Sequence, residues 1–380
     1  MSLRPLLAGF VGALLLAGLA TVPAQADSGA SERKHKLSVT FPHTMVRGQA
    51  AGLRVVERPI RRHRLLKVYY RPSTGGAWHL AAKERETKRG KARIRFALPA
   101  TGSYTVRLAM ARYRISKHRH VKLRQVYGSV KVVPTRVPVV MAHRGGGAEA
   151  PENTMAAFTH AIAVGAPTVE TDVHETSDGH LILMHDSTLA RTTNAEAYGI
   201  ANTPVWQLRW DQIQQVQVDV GPGASQPVPQ LSDLLALLQQ NPGTRLLVEA
   251  KDPGSGQPDL YQKMLDAMNA AGIDSSRSGR AAIESFDVDG LKSFAIAHPG
   301  LNVSPIMQKR MTAPRYYTWA GSITLESRYA TASQIALLHA GGLAVNVWTL
   351  DTAAQLAAAA DAGADAVITD LPSTALATFR

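Results

Sequence analysis

The 380-residue chain contains no cysteine. This absence excludes disulfide bonds, thiolate metal ligands, a cysteine nucleophile and a lipidated N-terminal cysteine. The fold must therefore be held by its own core, which a chain of this length can bury.

Long apolar runs are scarce, and the one at the N-terminus is slightly too short for a membrane span. Arg4 precedes the run from Leu6 to Ala20, and the small residues Ala24 and Ala26 follow it. This pattern predicts a secretory signal peptide over residues 1–26, and an uncleaved membrane anchor is the alternative. One arginine rather than a pair favours general secretion. We therefore expect the mature protein to be extracellular.

Acidic residues are scarce between residues 27 and 137, where 27 Lys and Arg stand against 5 Asp and Glu, a net charge of +22. From residue 138 onward the balance reverses to 14 against 24, or −10, so the overall charge of +13 conceals an asymmetry. Two prolines interrupt the segment 132–138 between these parts. We predict a basic domain over residues 27–135 and a second domain over 136–380.

The basic part contains seven short segments in which apolar and polar residues alternate. Between Lys91 and Phe96, for example, Arg93 and Arg95 alternate with apolar side chains. Turn-forming sequences separate the segments, which is typical of an antiparallel sheet. These features predict a small all-β, immunoglobulin-like sandwich. The segments are KLSVTF, GLRVVE, LLKVYYRP, AWHLAAK, KARIRFALP, GSYTVRLAMA and YGSVKVV.

The charge of this domain suggests a partner. A net +22 far exceeds the magnitude of about 2–8 that keeps a small domain soluble. We predict adhesion to an anionic membrane or a cell-wall polymer, and a merely soluble domain is the alternative. Nucleic acid is disfavoured because no motif interleaves aromatic and basic residues for base stacking.

From residue 139 onward, apolar strand-like segments alternate with helical patterns. Eight strands with intervening helices predict an α/β fold, a parallel (β/α)8 TIM barrel. Charged or polar residues fall at the C-terminal ends of these strands, where barrels of this type carry their chemistry. The strand segments are VPVVMAH, TVETDV, RLLVEAK, AAIESF, NVSPI, SITLES, AVNVWTL and DAVITD.

Three acidic residues are expected to face the barrel mouth. Glu170 and Asp172 are two positions apart, so both leave one face of a strand, and Glu249 and Lys251 share a face in the same way. Three such carboxylates repel one another unless a cation neutralises them. Oxygen ligands predict one divalent ion, Ca²⁺ or Mg²⁺. Interior ion pairs with Lys251 and Arg144 are the alternative, although buried ion pairs stabilise weakly.

Two histidines accompany the acids: His143 ends the first strand, and His185 follows the second. Since the chain offers no cysteine or obvious serine nucleophile, they are predicted to be an acid–base pair. Metal ligation by the histidines is the alternative. It is disfavoured because Arg144 and Gly145 follow His143 instead of completing a His-x-His motif.

Six ordered motifs resemble those of the glycerophosphodiester phosphodiesterase family over about residues 139–372. They are HRGGGAEAPENTMAAF, ETDVHETSDGHLILMHDSTLARTTN, LLVEAK, ESF, VNVWTL and GADAVITDLP. The resemblance implies a (β/α)8 barrel and metal-dependent hydrolysis of small glycerophosphodiesters to glycerol 3-phosphate and an alcohol. It does not extend to the basic domain.

The resemblance also implies a role for each matching residue. His143 and His185 would be catalytic, and Glu170, Asp172 and Glu249 would bind the metal. Arg144 and Lys251 would hold the phosphate, Trp348 would line the pocket and Glu152 would support the site. The glycines after Arg144 are expected to bring the backbone close to the phosphate.

Three other functions remain open at this point. The barrel could belong to a cyclising, phospholipase D-like enzyme that acts on intact lipids. It could trim a teichoic-type wall polymer that the basic domain holds. The third alternative is a surface-binding protein without enzymatic activity, which the full set of motif residues argues against. The attacking group is water or the substrate's own 2-hydroxyl.

Overall fold

A computed structural model describes residues 19–23, 36–58, 64–87, 89–111, 113–116, 119–121, 124–134 and 137–379. Apart from residues 19–23, the predicted signal peptide lies outside the described residues. The chain divides into two compact units between residues 135 and 136. Among the helices of the described ranges, none is both long enough and apolar enough to cross a bilayer.

The N-terminal unit is built from β-strands. All seven predicted segments form strands. Four further short strands, at residues 19–23, 44–46, 113–116 and 119–121, were not predicted from the alternation of apolar and polar residues. The strands are β1 (Leu19–Pro23), β2 (Lys36–Pro42), β3 (Thr44–Val46), β4 (Ala51–Arg58), β5 (Leu65–Pro72), β6 (His79–Arg85), β7 (Lys91–Phe96), β8 (Gly102–Met110), β9 (Tyr113–Ser116), β10 (Arg119–Val121) and β11 (Arg124–Val133).

These strands form a four-stranded sheet in the order β1-β2-β4-β7 and a five-stranded sheet in the order β3-β11-β8-β5-β6. Alternation of apolar and polar residues directs one face of each sheet into a common hydrophobic cluster, to which Leu53 and Ile94 of one sheet and Leu66 and Leu108 of the other contribute. All pairings within the two sheets are antiparallel except β11 with β3. The immunoglobulin-like connectivity stays a prediction.

The C-terminal unit contains the eight predicted parallel strands and three short additional ones, β14, β15 and β16. Its strands are β12 (Val139–Ala142), β13 (Thr168–Glu175), β14 (Leu181–Leu183), β15 (Gln217–Val218), β16 (Gln226–Pro227), β17 (Arg245–Ala250), β18 (Ala281–Ser285), β19 (Val303–Met307), β20 (Ser322–Glu326), β21 (Ala344–Trp348) and β22 (Ala366–Thr369).

The parallel strands close into a barrel in the order β12-β22-β21-β20-β19-β18-β17-β13, because β12 pairs with both β13 and β22. The predicted (β/α)8 barrel is confirmed. Every residue of β13 is buried. This is expected for a parallel barrel strand, because one face packs against side chains of the barrel interior and the other packs against the helices.

Helices cover the outside of the barrel. Threonines at their N-terminal ends accept backbone N–H groups at α1, α6 and α7, which fixes where these helices begin. The helices are α1 (Met155–Val164), α2 (Trp210–Ile213), α3 (Leu231–Gln240), α4 (Leu260–Ala270), α5 (Val288–Ala297), α6 (Ala332–Ala340), α7 (Ala353–Ala362) and α8 (Pro372–Phe379). After β14, a small subdomain with its own core, including Leu189 and Ile213, interrupts the repeat.

Candidate active site

Three acidic side chains lie together inside the barrel mouth. Glu170 and Asp172 project from β13, and Glu249 projects from the position of β17 that pairs with Asp172. Their exposed fractions are 1%, 0% and 7%, and one carboxylate oxygen from each lies within 4.8 Å of the others. The predicted cluster is therefore present, and the period of two along each strand explains it.

The electrostatics of the cluster are unfavourable without a counter-charge. Burial, followed by repulsion from Asp172, raises the pKa of both Glu170 and Glu249 well above the ordinary value. Burial opposes ionisation of Asp172 as well, but Lys251 and Arg144 hold its pKa below the usual range. The three acids thus cannot all ionise easily without further positive charge.

Two cations border the acids. Lys251 Nζ lies 3.0 Å from Glu249 Oε1 and 3.6 Å from Asp172 Oδ1, and Arg144 Nε lies 3.5 Å from Asp172 Oδ2. The alternative of interior ion pairs is therefore realised in part. These pairs do not satisfy the cluster, because Asp172 Oδ1 is buried and accepts no hydrogen bond.

The donor set suits a hard divalent cation. Within the described ranges, the group of side chains that could hold an ion consists of Glu170, Asp172 and Glu249, all oxygen donors. Asp172 Oδ1 accepts no hydrogen bond within the described ranges and is the kind of atom that an ion would satisfy. The residues present therefore fit such an ion, whereas Nδ1 of each histidine is bonded to a carboxylate.

The turn after β12 links the acids to Arg144. Arg144 adopts a left-handed backbone conformation, with φ 52°, and its backbone N–H donates to Glu170 Oε2 at 2.7 Å. Its side chain donates to Glu152 Oε1 at 2.9 Å. The predicted supporting residue Glu152 therefore contacts Arg144 directly.

The glycines of this turn allow close packing, and their expected approach to a phosphate stays a prediction. Gly145 has φ 80°, and a Cβ there would lie 2.7 Å from Ala157 Cβ on α1. At Gly146 a Cβ would meet the ring of Pro372 at 2.9 Å. The turn is glycine-rich because α1 and α8 press against it.

His143 follows β12, and Asp370 orients its ring. His143 Nδ1 lies 2.7 Å from Asp370 Oδ1 at the end of the last barrel strand. Since the ionised carboxylate can only accept, Nδ1 carries a proton and Nε2 is the nitrogen left for proton transfer. Burial opposes ionisation of Asp370, but the hydrogen bond from His143 lowers its pKa.

His185 is oriented in the same way by its own neighbour. Its Nδ1 lies 2.6 Å from Asp186 Oδ1. Arg191 in turn donates to Asp186 at 2.6 and 3.0 Å and to Glu152 at 2.6 and 3.1 Å, so one guanidinium joins two carboxylates. Burial, the largest influence, lowers the pKa of His185. The neutral imidazole is therefore favoured near pH 7.

One cavity brings most of these groups together. Phe286 and Trp348 form an edge-to-face pair on one wall, with ring centroids 5.6 Å apart. Lys251 Nζ lies 5.8 Å from the Phe286 ring, and buried Trp348 Nε1 has no hydrogen-bond partner in the part of the chain that the structure describes. The cavity is lined by His143, Arg144, Glu170, His185, Glu249, Glu284, Phe286, Ile306, Thr324, Trp348, Thr349 and Ile368.

A polar network lies among the lining residues of this cavity. Thr324 Oγ1 donates to Glu284 Oε2 at 2.6 Å, and Ser304 lies 2.9 Å from the same hydroxyl. Burial raises the pKa of Glu284 to about 8. Glu284 is therefore a neutral acid at pH 7 in the ion-free protein.

All nine residues selected from the sequence meet in this region, either lining the cavity or contacting a residue that does. Several partners were not selected: Asp370 and Asp186, which hold the histidines, and Arg191 and Glu284. Asn153 was also missed, although it donates to Asp172 Oδ2 at 2.8 Å. Asp186, Arg191 and Asn153 lie in the quoted motifs, close in sequence to selected residues, and this closeness is the signal that could have identified them.

The fold and this arrangement of charges define a (β/α)8 barrel with a cavity suited to an anionic substrate. The model of the glycerophosphoryl diester phosphodiesterase family matches residues 143–374. The chain belongs to this family.

Relatives and solved structures agree with this assignment. The chain is 27% identical over 252 residues to the glycerophosphodiester phosphodiesterase of Caldanaerobacter subterraneus, covering 64% of this chain and 98% of the relative. It is 28% identical over 248 residues to the probable glycerophosphodiester phosphodiesterase 2 of Mycobacterium tuberculosis, covering 61% and 87%.

Two solved structures show a similar fold. One is a putative glycerophosphoryl diester phosphodiesterase of Silicibacter pomeroyi, with a TM-score of 0.58 and 22% identity over 64% of this chain and 94% of that one. The other, from Oleispira antarctica, is a phosphodiesterase in complex with the product sn-glycerol-3-phosphate. Its TM-score is 0.56, with 20% identity over 64% of this chain and 96% of that one. At these identities the likeness concerns the barrel fold.

Proposed function

We propose that the chain is a secreted, metal-dependent phosphodiesterase that hydrolyses glycerophosphodiesters to glycerol 3-phosphate and an alcohol. The observation that carries the proposal is one cavity in which two carboxylate-oriented histidines, His143 and His185, adjoin a buried acidic cluster and Arg144. The family membership of the chain and the names of its relatives support the same reaction.

The charges account for substrate binding. A phosphodiester carries one negative charge and gains more in the transition state, so positive groups that face it accelerate the reaction. Arg144 has planar donors suited to phosphate oxygens, and Lys251 adds a second positive charge beside the cluster. Their ion pairs with Glu152 and Glu249 hold both side chains in place.

The acids would hold the ion. Glu170, Asp172 and Glu249 are the ligands that we propose for one Ca²⁺ or Mg²⁺, for the reasons of charge and donor type given above. When bound, the ion would supply positive charge that neutralises the cluster and polarises a phosphoryl oxygen.

The histidines would move the protons. With Nδ1 bonded to a carboxylate, each histidine presents Nε2 as its remaining proton acceptor or donor. His185, whose pKa burial lowers, suits the removal of a proton from the attacking hydroxyl. His143 would then protonate the departing alkoxide. The attacking hydroxyl belongs to water or to the glycerol 2-position of the substrate.

A substrate panel tests this function. Purified protein is incubated with glycerophosphocholine, glycerophosphoethanolamine, lysophosphatidylcholine and sphingomyelin, with added Ca²⁺ or Mg²⁺ and in parallel with EDTA. We expect EDTA-sensitive release of glycerol 3-phosphate from the first two compounds. Cyclic phosphate formed only from the intact lipids would identify the phospholipase D-like alternative. Activity that is insensitive to EDTA would contradict the proposed metal.

The N-terminal unit would hold the enzyme on an anionic surface, a membrane or a cell-wall polymer. The charge of +22 between residues 27 and 137 supports this attachment. The extracellular location rests on the signal peptide pattern of residues 1–26. Cleavage of this peptide would remove β1 from the four-stranded sheet and leave β2, β4 and β7 in it. N-terminal sequencing of protein recovered from culture medium tests both location and cleavage, and intact protein confined to the cells would contradict them.

A further inference from the structure

The outward face of the five-stranded sheet carries an ordered row of aromatic and cationic side chains. Tyr127 on β11 pairs with Arg107 on β8, and Arg107 pairs with Tyr69 on β5. The Arg107 guanidinium carbon lies 4.6 Å from the Tyr69 ring centre and 4.3 Å from that of Trp78. Arg71, on the same face of β5, lies 4.6 Å from Trp78.

Stacking leaves the guanidinium edges available. An arginine on an aromatic ring keeps its N–H groups in the plane of the guanidinium, where they can meet phosphate oxygens. Among the described residues, the Nε atoms of Arg71 and Arg107 have no hydrogen-bond partner and are shielded from water. A phosphate oxygen that accepts from these guanidinium groups would supply the missing acceptor.

The rest of this face has the same sign of charge. Lys67 on β5 lies directly opposite Lys83 on β6, an arrangement that is unfavourable without an anion. Among the described residues of this five-stranded sheet, no outward position carries an Asp or Glu, although β6 has an exposed Glu84 opposite the inward-facing Leu66. In contrast, Glu86 is buried and is paired with Arg64.

The other sheet provides an internal comparison. Its strand β7 exposes Lys91, Arg93 and Arg95, so it is also basic. None of the stacked arginine pairs found in the described residues involves this strand. The two sheets therefore resemble each other in charge and differ in whether aromatic rings order the arginines.

We infer that the face formed by Tyr69, Arg71, Trp78, Arg107 and Tyr127 is a docking surface for a linear glycerol phosphate polymer. The inference rests on the proposed function, because such a polymer contains the linkage that the barrel would cleave. It also names the surface on the N-terminal unit that makes the attachment.

The aromatic rings favour a polymer over the other polyanions. Two arginines already cover Trp78, so its ring is not free to stack on nucleic acid bases. Among the large apolar side chains of this face, Leu80 and Tyr127 are exposed, by 45% and 47%. Two such residues offer little apolar area for insertion into a bilayer.

Binding of the full-length protein to poly(glycerol phosphate) tests the inference, with EDTA present to prevent cleavage. We expect Arg71→Gln/Arg107→Gln to weaken binding about tenfold. The matched control Arg93→Gln/Arg95→Gln removes the same charge from the other sheet and should weaken binding by less than about twofold. Equal losses in both variants would overturn the proposal, since total charge alone would then explain binding.

A second variant separates stacking from charge. Trp78→Leu leaves the net charge unchanged, and we expect it to weaken binding about two- to fivefold. No change would contradict the role of the aromatic row. Melting temperatures equal to that of the unaltered protein show that each variant is folded.

Other polyanions and the reaction itself form the remaining arms. Single-stranded DNA of matched length and phosphatidylglycerol vesicles are compared with the polymer at the same salt concentration. Tighter binding to either one, with the same dependence on Arg71 and Arg107, would overturn the polymer assignment. Release of glycerol 3-phosphate from small diesters should be equal in all variants. If the unaltered protein releases none, the proposed function fails while the binding result stands.

Discussion

The two units of this chain use charge in opposite ways. In the barrel, charges of both signs point inward, and Glu170, Asp172 and Lys251 are at most 9% exposed. In the N-terminal unit, charges of mainly one sign point outward, as Lys91, Arg93 and Arg95 do.

This difference separates two tasks. Buried charges lie close together in a medium that screens them poorly, so the position of each one matters for chemistry. Exposed charges of one sign act together and are weakened by salt, which suits attachment to an extended polyanion. Substitutions in the barrel should therefore change activity on every substrate. Substitutions in the N-terminal unit should change activity only on a substrate to which that unit attaches.

The largest effect is expected from the histidines. His143→Ala and His185→Ala should each lower kcat on small diesters about 10²–10⁴-fold, because a positioned proton donor or acceptor is lost. Steady-state release of glycerol 3-phosphate measures the effect. Binding to poly(glycerol phosphate) should not change, which sharpens the contrast between the units.

A third histidine provides the control. His160 on α1 pairs with Glu149, away from the cavity lining, so His160→Ala should keep nearly full activity. Near-normal turnover in either His143→Ala or His185→Ala would refute the proposed acid–base pair.

A smaller loss is expected from the acidic cluster. Glu170→Gln removes one proposed ligand charge and should raise the divalent ion concentration needed for half-maximal activity about tenfold or more. Excess Ca²⁺ or Mg²⁺ should partly restore the rate. Glu326→Gln, at a carboxylate paired with Arg328, is the control. An unchanged ion requirement in Glu170→Gln would argue against the proposed metal site.

Arg191 should have an effect of similar or smaller size. Arg191→Met removes the guanidinium that joins Asp186 to Glu152, so the support of His185 loosens. We expect kcat to fall about tenfold with little change in KM, and Arg191→Lys to recover part of the loss.

Arg209→Met provides the comparison, since that arginine pairs with exposed Asp211. A change in KM alone in Arg191→Met would show that Arg191 serves binding rather than positioning of His185.

The last prediction concerns stability rather than turnover. Folding raises the pKa of Glu284 from its ordinary 4.5 to about 8. Between pH 5 and pH 8 the unfolded chain releases this proton and the folded protein keeps it, so stability falls as the pH rises. In Glu284→Gln, the decrease in the free energy of unfolding between pH 5 and pH 8 should be about 3 kcal/mol smaller. Urea unfolding in EDTA at both pH values measures it, and an identical pH dependence in the variant would contradict the prediction.

The sequence predicted what depends on periodicity. Because side chains alternate along a strand, the spacing of Glu170 and Asp172 is sufficient to place both carboxylates on the inner face. The same rule identified the basic outward positions Arg93 and Arg95, whereas apolar segments between helical patterns identified the eight barrel strands. Short strands such as β3 and β9 carry too few residues for a pattern to emerge.

The sequence could not predict features that depend on pairing of the first and last barrel strands or on side-chain rotamers. Asp370 was visible as a charged strand end, but its bond to His143 requires the first strand to pair with the last. Nor did the sequence indicate that Gly145 packs against Ala157, because this contact becomes evident only when α1 packs on the turn. The stacking of Arg107 on Trp78 depends on side-chain conformations that alternation does not specify.

The bond between His143 and Asp370 joins residues 227 positions apart, so it has a consequence for biosynthesis. A nascent chain can contain His143, Glu170, Asp172, His185 and Glu249 and still lack Asp370. The carboxylate of Asp370 is the group that orients the His143 ring. Only when the last strand has been synthesised and inserted is that ring oriented. The enzyme is therefore expected to be inactive until its last strand has been translated and inserted, and a truncation before residue 370 should leave it inactive.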